Sequence, residues 1–155
     1  MAHLPSDGPQ DPLRAHEVRA ERPAREPRND DATRALRILV VDDLVDAADG
    51  LAIYLAKHGH VARTAHDGHA ALMAAVDFTP QVILLDIGLP RLDGYRVAEQ
   101  IRQQSTLQNV CLIAVTGFCR PEDMQAAYDA GFDHLLLKPV DPTQLLAILK
   151  LLAPA

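Results

Sequence analysis

Five short apolar runs alternate with five amphipathic stretches in this sequence, and that alternation restricts the folds open to the chain. The apolar runs predict strands at residues 37–41, 61–65, 82–86, 110–116 and 135–138. Apolar residues at helical spacing predict helices at residues 44–58, 67–78, 93–104, 121–130 and 142–152. Strict strand–helix alternation indicates the α/β class, with a doubly wound, five-stranded parallel sheet and right-handed crossovers that place helices on both faces.

The first 36 residues lack this alternation. They hold five of the chain's eleven prolines and few large apolar side chains, and such a segment cannot bury enough apolar surface to offset its chain entropy. Residues 1–36 are therefore predicted to be a disordered tail, with a partner-binding motif or a linker remnant as the alternative. Residues 37–155 are predicted to form one domain.

Charge and composition exclude several classes of protein. Acidic and basic residues cancel in residues 1–37, so the formal net charge of −6 lies on the rest of the chain. An acidic domain argues against nucleic-acid binding. No apolar run approaches the roughly 18 residues of a membrane span, and no signal peptide is visible. Two cysteines, Cys111 and Cys119, cannot build a disulfide framework, so a cytoplasmic protein is predicted.

Four of the predicted strands end in charged or hydroxyl-bearing residues. Asp42 and Asp43 follow the first strand, Asp86 ends the third, Thr116 ends the fourth and Lys138 ends the fifth. The carboxyl ends of parallel strands converge on one edge of the sheet, where open α/β folds bind ligands. The sequence therefore predicts three carboxylates, a hydroxyl and an ammonium in one small volume.

This residue set favours a metal site that handles phosphate. Two carboxylates about 4 Å apart repel by roughly 4 kcal/mol at an effective dielectric near 20, so their pKa values rise or a cation lies between them. Ligands that are all oxygen suit Mg²⁺. Asp86 is the candidate nucleophile for an aspartyl phosphate, with Lys138 and Thr116 bonding the phosphoryl oxygens.

Each of these residues also has a purely structural interpretation. Taken alone, Asp42 or Asp43 would most often be a helix N-cap. Taken alone, Thr116 would most often be a hydroxyl at a strand end with no further role, and Lys138 a solvated side chain. Their joint occurrence at successive strand ends favours the functional interpretation.

Several short motifs carry a family resemblance. They are Ile-Leu-Val-Val-Asp-Asp at 38–43, Leu-Leu-Asp-Ile-Gly-Leu-Pro at 84–90, Asp93-Gly94, Thr116-Gly117 and Lys138-Pro139. In this order and spacing the chain resembles the receiver domain of two-component response regulators, and in its details the receivers attached to hybrid histidine kinases. The resemblance covers residues 37 to about 153. It implies a flavodoxin-like (βα)5 fold with strand order 2-1-3-4-5 and a cis Lys138-Pro139 peptide bond.

The resemblance also implies residue roles. Asp86 accepts a phosphoryl group from a phosphohistidine of a histidine kinase or phosphotransfer protein. Asp43, Asp86 and the backbone carbonyl of Gly88 ligate Mg²⁺, and Asp42 acts mainly through water. Thr116 and Lys138 bond the phosphoryl oxygens. Such a protein phosphorylates and dephosphorylates itself and is not a turnover enzyme.

The function predicted on this basis is a stand-alone response regulator that signals through phosphorylation-dependent contacts with a downstream protein. Only Ala153, Pro154 and Ala155 follow the helix predicted at residues 142–152, so no DNA-binding effector is expected. A phosphorelay intermediate or a phosphate sink is the alternative.

Two other functions, one an enzyme and one a flavin carrier, fit the sequence less well. A haloacid-dehalogenase-like phosphatase places its nucleophile after the first strand, with a second Asp two positions on, whereas the pair here is adjacent. A flavodoxin-like carrier of flavin mononucleotide needs a phosphate loop after the first strand, and the acidic residues Asp43 and Asp46 oppose one.

Several other residues bear on how the predicted site would work or were weighed for other roles. Leu135 stands where many receivers carry an aromatic switch residue, Phe132 is predicted to be core, and Gly88 and Phe118 occupy the variable positions that flank the site. The histidines at 58, 60, 66 and 69 are predicted to be solvated or capping rather than a zinc site.

The last helix is more apolar than one buried face needs. That surplus predicts a homodimer or kinase contact, with a well-buried end helix as the equal alternative.

Overall fold

The predicted five-stranded parallel sheet is present in the computed structural model, which describes residues 17–18, 35–117 and 119–152. The strands are β1 (Arg37–Val41), β2 (Val61–Ala65), β3 (Val82–Asp86), β4 (Cys111–Thr116) and β5 (His134–Leu137). They pair in parallel in the order β2-β1-β3-β4-β5. This order confirms the fold class predicted from the strand–helix alternation and the strand order that the resemblance implies, and it places β1, β3 and β4 in the interior of the sheet.

An additional strand that the sequence analysis did not predict lies at the β2 edge. Glu17–Val18, within the predicted tail, pairs antiparallel with β2, opposite Arg63 and Ala62. A two-residue strand is too short to show a period in the sequence, which is why it was missed. The rest of the predicted tail, residues 1–16 and 19–34, lies outside the described residues, as do Phe118 and residues 153–155.

Five α-helices connect and follow the strands. They are α1 (Val45–Lys57), α2 (Gly68–Phe78), α3 (Gly94–Gln103), α4 (Pro121–Ala130) and α5 (Pro142–Leu152), and a short 3-10 helix at Ser105–Leu107 precedes β4. The predicted bounds are confirmed to within one residue at each end. Asp67 and Asp93 are N-caps, because their carboxylates accept hydrogen bonds from the backbone of Ala70 and Arg96. None of the helices described has the length and apolar character that a bilayer crossing requires.

Successive side chains of a strand point to opposite faces of the sheet, and this alternation divides the hydrophobic core into two layers. On one face Leu39, Ile83 and Leu112 pack against α2, α3 and α4, and on the other Ile38, Leu84 and Ile113 pack against α1 and α5. All five residues of β3 are buried, Asp86 included. The central strand is therefore buried on both faces of the sheet. Polar groups can reach solvent or a ligand only where the strands end.

The structure also shows how far the apolar residues near the C-terminus are buried. Phe132 is buried, as predicted, and Leu135 packs half-buried against the same layer of the core. In α5, Leu145 and Leu149 are fully buried and three further apolar side chains pack against the core, whereas Leu151 is 84% exposed. Most of the apolar surplus of this helix is therefore buried within the domain.

One histidine prediction is wrong. His60 is buried rather than solvated or capping, and its Nδ1 accepts a hydrogen bond of 3.1 Å from the backbone N–H of Leu36. Burial, with a smaller contribution from nearby His58, lowers the pKa of His60 below its ordinary value. The neutral ring keeps the Nδ1 lone pair that accepts this bond, and the bond ties the start of β1 to the start of β2.

Candidate functional site

The predicted site residues from β1, β3 and β5 meet at the carboxyl edge of the sheet. The ammonium Nζ of Lys138 lies 3.0 Å from Oδ2 of Asp42 and 3.1 Å from Oδ2 of Asp86. The chain reaches this position because the sheet register continues one residue past β5, where the backbone N–H of Lys138 donates to the carbonyl of Thr116. Residues far apart in sequence thus form one charged cluster.

Asp86 is held from both sides. It is 7% exposed, its Oδ1 accepts a 2.9 Å hydrogen bond from the backbone N–H of Gly88, and its Oδ2 accepts the bond from Lys138. The loop after Asp86 is held where Gly94 packs against the backbone of Asp86 and Ile87. A Cβ at Gly94 would lie 2.6 Å from Cα of Ile87 and 2.7 Å from the carbonyl oxygen of Asp86. This contact explains why glycine follows Asp93 in the sequence.

Asp42 has all its polar atoms engaged within the protein. Its backbone N–H donates to the carbonyl of Ala65 and its own carbonyl accepts from Nδ1 of His66, both at 3.1 Å. Its Oδ1 accepts from the backbone N–H of Leu44, and its Oδ2 accepts from Lys138. Both the backbone and the carboxylate of Asp42 are therefore fully hydrogen-bonded within the protein.

Asp43 differs from its neighbour. Its carboxylate is exposed and makes no hydrogen bond or ion pair with any residue that the structure describes. Even so, one carboxylate oxygen from each of Asp42, Asp43 and Asp86 lies within 4.8 Å of the other two. Three carboxylates against one ammonium leave two negative charges. An all-oxygen donor set of this charge fits Mg²⁺.

The electrostatics of Lys138 follow from these carboxylates. Burial by itself would lower the pKa of the ammonium, but the hydrogen bonds and charges of Asp42 and Asp86 outweigh it, so the pKa is raised above its usual value. Lys138 thus carries a positive charge near neutral pH. The edge of the sheet therefore holds one cation that can pair with an anionic group, beside carboxylates whose excess negative charge a bound metal ion would offset.

Thr116 and Gly88 lie at the same edge. Thr116 ends β4 one residue beyond Val115, the partner of Asp86 in the ladder, and its carbonyl receives the bond from Lys138. Gly88 is exposed, and a Cβ there would lie 3.5 Å from Oδ1 of Asp86, so its backbone passes directly beside that carboxylate. The Lys138-Pro139 peptide bond is cis, as the resemblance implies.

Sequence reasoning missed His66. His66 directly follows β2, just as Asp42 and Asp43 follow β1. Its position at the carboxyl end of a strand is the sequence signal that could have placed it beside the site. The residue was instead grouped with the neighbouring histidines of residues 58–69, whose side chains the fold disperses.

Comparisons with known proteins agree with this geometry. The family described as response regulator receiver domain matches residues 38–150. An uncharacterized 14.6 kDa protein from Leptolyngbya boryana is 34% identical over 113 residues, which cover 73% of this chain and 86% of that protein. The response regulator MprA of Mycobacterium ulcerans is 36% identical over 118 residues, 76% of this chain and 50% of that regulator.

Solved structures show the same likeness. The chemotaxis protein CheY4 of Vibrio cholerae superposes with a TM-score of 0.72 at 28% identity, covering 76% of this chain and 98% of that chain. The chain spans about half the length of some of its relatives, such as MprA.

Proposed function

Because the chain belongs to the response regulator receiver domain family of two-component signalling, we propose that it accepts a phosphoryl group on Asp86, with Mg²⁺ bound at the acidic cluster. One observation carries the proposal. Asp86 is the buried carboxylate at the end of the central strand, 3.1 Å from the ammonium of Lys138 and within reach of a common metal ion with Asp42 and Asp43.

The proposed chemistry is a displacement at phosphorus. An Asp86 carboxylate oxygen attacks the phosphorus of a phosphohistidine. A phosphorus–oxygen bond forms while the phosphorus–nitrogen bond breaks, and the imidazole of the donor leaves with the electron pair and takes a proton from water. Lys138 pairs with the transferred phosphoryl oxygens, and the hydroxyl of Thr116 donates to one of them. Later hydrolysis restores Asp86, so the protein is a phosphoacceptor rather than a turnover enzyme.

Metal ligation is proposed for Asp43, Asp86 and the backbone carbonyl of Gly88. Asp43 supports this role because its carboxylate is exposed and without a partner among the described residues. Asp42 acts mainly through water, since both its carboxylate oxygens already accept internal bonds. When bound, Mg²⁺ offsets the negative charge of the carboxylates and of the phosphoryl oxygens.

The donor proposed is a histidine kinase or a histidine phosphotransfer protein, and the output a phosphorylation-dependent contact with another protein. Phosphotransfer profiling against purified kinases of the organism identifies the donor. Rapid onward transfer to a second phosphotransfer protein distinguishes a phosphorelay intermediate from an adaptor that retains the phosphoryl group.

The decisive experiment uses a small phosphodonor. Incubation with acetyl phosphate and Mg²⁺, followed by phosphate-affinity electrophoresis, is expected to shift the wild-type band. The shift disappears with Asp86→Asn or with a chelator, and it persists with the control Asp129→Asn on the exposed face of α4. A wild-type band that does not shift contradicts the proposal.

A further inference from the structure

His66 lies beside the acidic pair but outside the predicted site. It follows the end of β2, the strand next to β1, and its Nδ1 lies 3.1 Å from the carbonyl oxygen of Asp42. A carbonyl oxygen can only accept a hydrogen bond, so Nδ1 is the nitrogen that carries the proton. The half-buried ring therefore acts on the backbone of β1 as a donor.

The carbonyl that His66 holds belongs to the peptide unit joining Asp42 to Asp43. That unit is planar, so fixing the direction of its oxygen also fixes the plane from which Asp43 departs. The backbone N–H of Asp42 is bonded to Ala65 on the same strand end. Ala65 and His66 at the end of β2 thus hold both backbone polar groups of Asp42, the N–H through a backbone bond and the carbonyl through the histidine.

Asp43 needs this support more than its neighbours do. Asp42 and Asp86 each have both carboxylate oxygens bonded within the protein. The Asp43 carboxylate has no such bond among the described residues, so the backbone sets the direction in which its side chain leaves.

We propose that His66 is a positioning residue for the metal ligand Asp43, acting through the Asp42–Asp43 peptide. The inference rests on the proposed metal site. His66 itself is not a ligand: among the described residues, the ligand atoms that lie within 4.8 Å of one another come from Asp42, Asp43 and Asp86. Partners that orient metal ligands typically contribute about 10- to 100-fold to metal affinity.

Three variants test this role. His66→Ala removes the donor. His66→Asn places an amide N–H where Nδ1–H lies and keeps a donor to the Asp42 carbonyl. His69→Ala, an exposed histidine in the first turn of α2, is the matched control.

Mg²⁺ affinity of the metal-free protein is measured by calorimetry for each variant. We expect His66→Ala to weaken it about tenfold, His66→Asn to restore most of the loss, and His69→Ala to match the wild type. The Mg²⁺ concentration that half-saturates phosphorylation by acetyl phosphate rises in His66→Ala by the same factor. Nitrogen-15 NMR of the wild-type ring is expected to show the Nδ1–H tautomer in metal-free protein.

Two results would overturn the inference. One is wild-type Mg²⁺ affinity in His66→Ala; the other is an Nε2–H tautomer in the wild type. If His66→Ala does not fold, the outcome depends on His66→Asn and the ring tautomer. A wild-type protein that neither binds Mg²⁺ nor becomes phosphorylated contradicts the proposed function instead, so the two failures are distinguishable.

Discussion

The ammonium of Lys138 lies 3.1 Å from the Oδ2 atom of Asp86, so the candidate nucleophile is paired with a cation supplied by the protein itself. The same ammonium bonds Asp42 on the neighbouring strand. It therefore links the ends of β1 and β3 to the residue after β5, and we expect it to stabilise the site in addition to its proposed chemical role.

Lys138→Met is expected to lower the free energy of unfolding in metal-free buffer by about 1–3 kcal/mol, because two buried carboxylates lose a charged hydrogen-bond partner. Added Mg²⁺ should then stabilise the variant more than the wild type, since it offsets a larger unbalanced charge. Urea unfolding with and without Mg²⁺ measures both effects.

The control for this prediction is Lys57→Met in the exposed last turn of α1. It should change stability by no more than about 0.5 kcal/mol and leave the Mg²⁺ effect at its wild-type size. Equal losses in the two variants would contradict a stabilising role for the Lys138 cluster.

Gly94→Ala is expected to destabilise the protein by about 1–3 kcal/mol or more. The added Cβ would lie 2.6 Å from Cα of Ile87 and 2.7 Å from the Asp86 carbonyl oxygen, and backbone atoms cannot rotate away as a side chain can. The loop after Asp86 must shift, so Mg²⁺ binding should weaken as well. Urea unfolding and calorimetry measure the two effects.

Gly50→Ala in α1 is the matched comparison. A Cβ there meets nothing within 4 Å, and alanine in a helix is favoured over glycine by roughly 0.5–1 kcal/mol. This variant should therefore be more stable than the wild type. If both glycine variants shift stability in the same direction, the close approach at Gly94 is not what governs its substitution.

His60 is expected to make stability depend on pH. Because its folded-state pKa is lowered from 6.5, the unfolded chain binds more protons in the interval between the two pKa values, and stability rises with pH there. The contribution of His60 is complete above pH 6.5 and is lost as the pH falls below that value towards the folded-state pKa.

His60→Asn tests this dependence, since asparagine can accept the bond from Leu36 but does not titrate. Urea unfolding at several pH values between about 5 and 8 should give a smaller loss on acidification than the wild type shows, while His69→Asn keeps the wild-type slope. An unchanged slope in His60→Asn would remove His60 as the cause.

Much of the fold could be predicted from local pattern. Residues 82–85 are apolar throughout and Asp86 ends the run, which predicted a buried strand. The helices predicted at 67–78 and 93–104 begin at the two aspartates that the structure shows to be N-caps, and capping is a local interaction. Glu17–Val18 could not be predicted, since its pairing with β2 depends on an edge that exists only in the folded sheet.

The site divides in the same way. The sequence by itself determined which groups stand at the strand ends, because each polar residue directly follows an apolar run and parallel strands end on one edge. Only the tertiary structure decided how those groups share their bonds. Asp42 is saturated by Ala65, Leu44, His66 and Lys138, whereas Asp43 is left exposed. The family resemblance implied different roles for the two adjacent aspartates, but their local sequence pattern did not show the cause. The partners that distinguish them come from β2 and from the loop after β5, which only the folded sheet brings to Asp42.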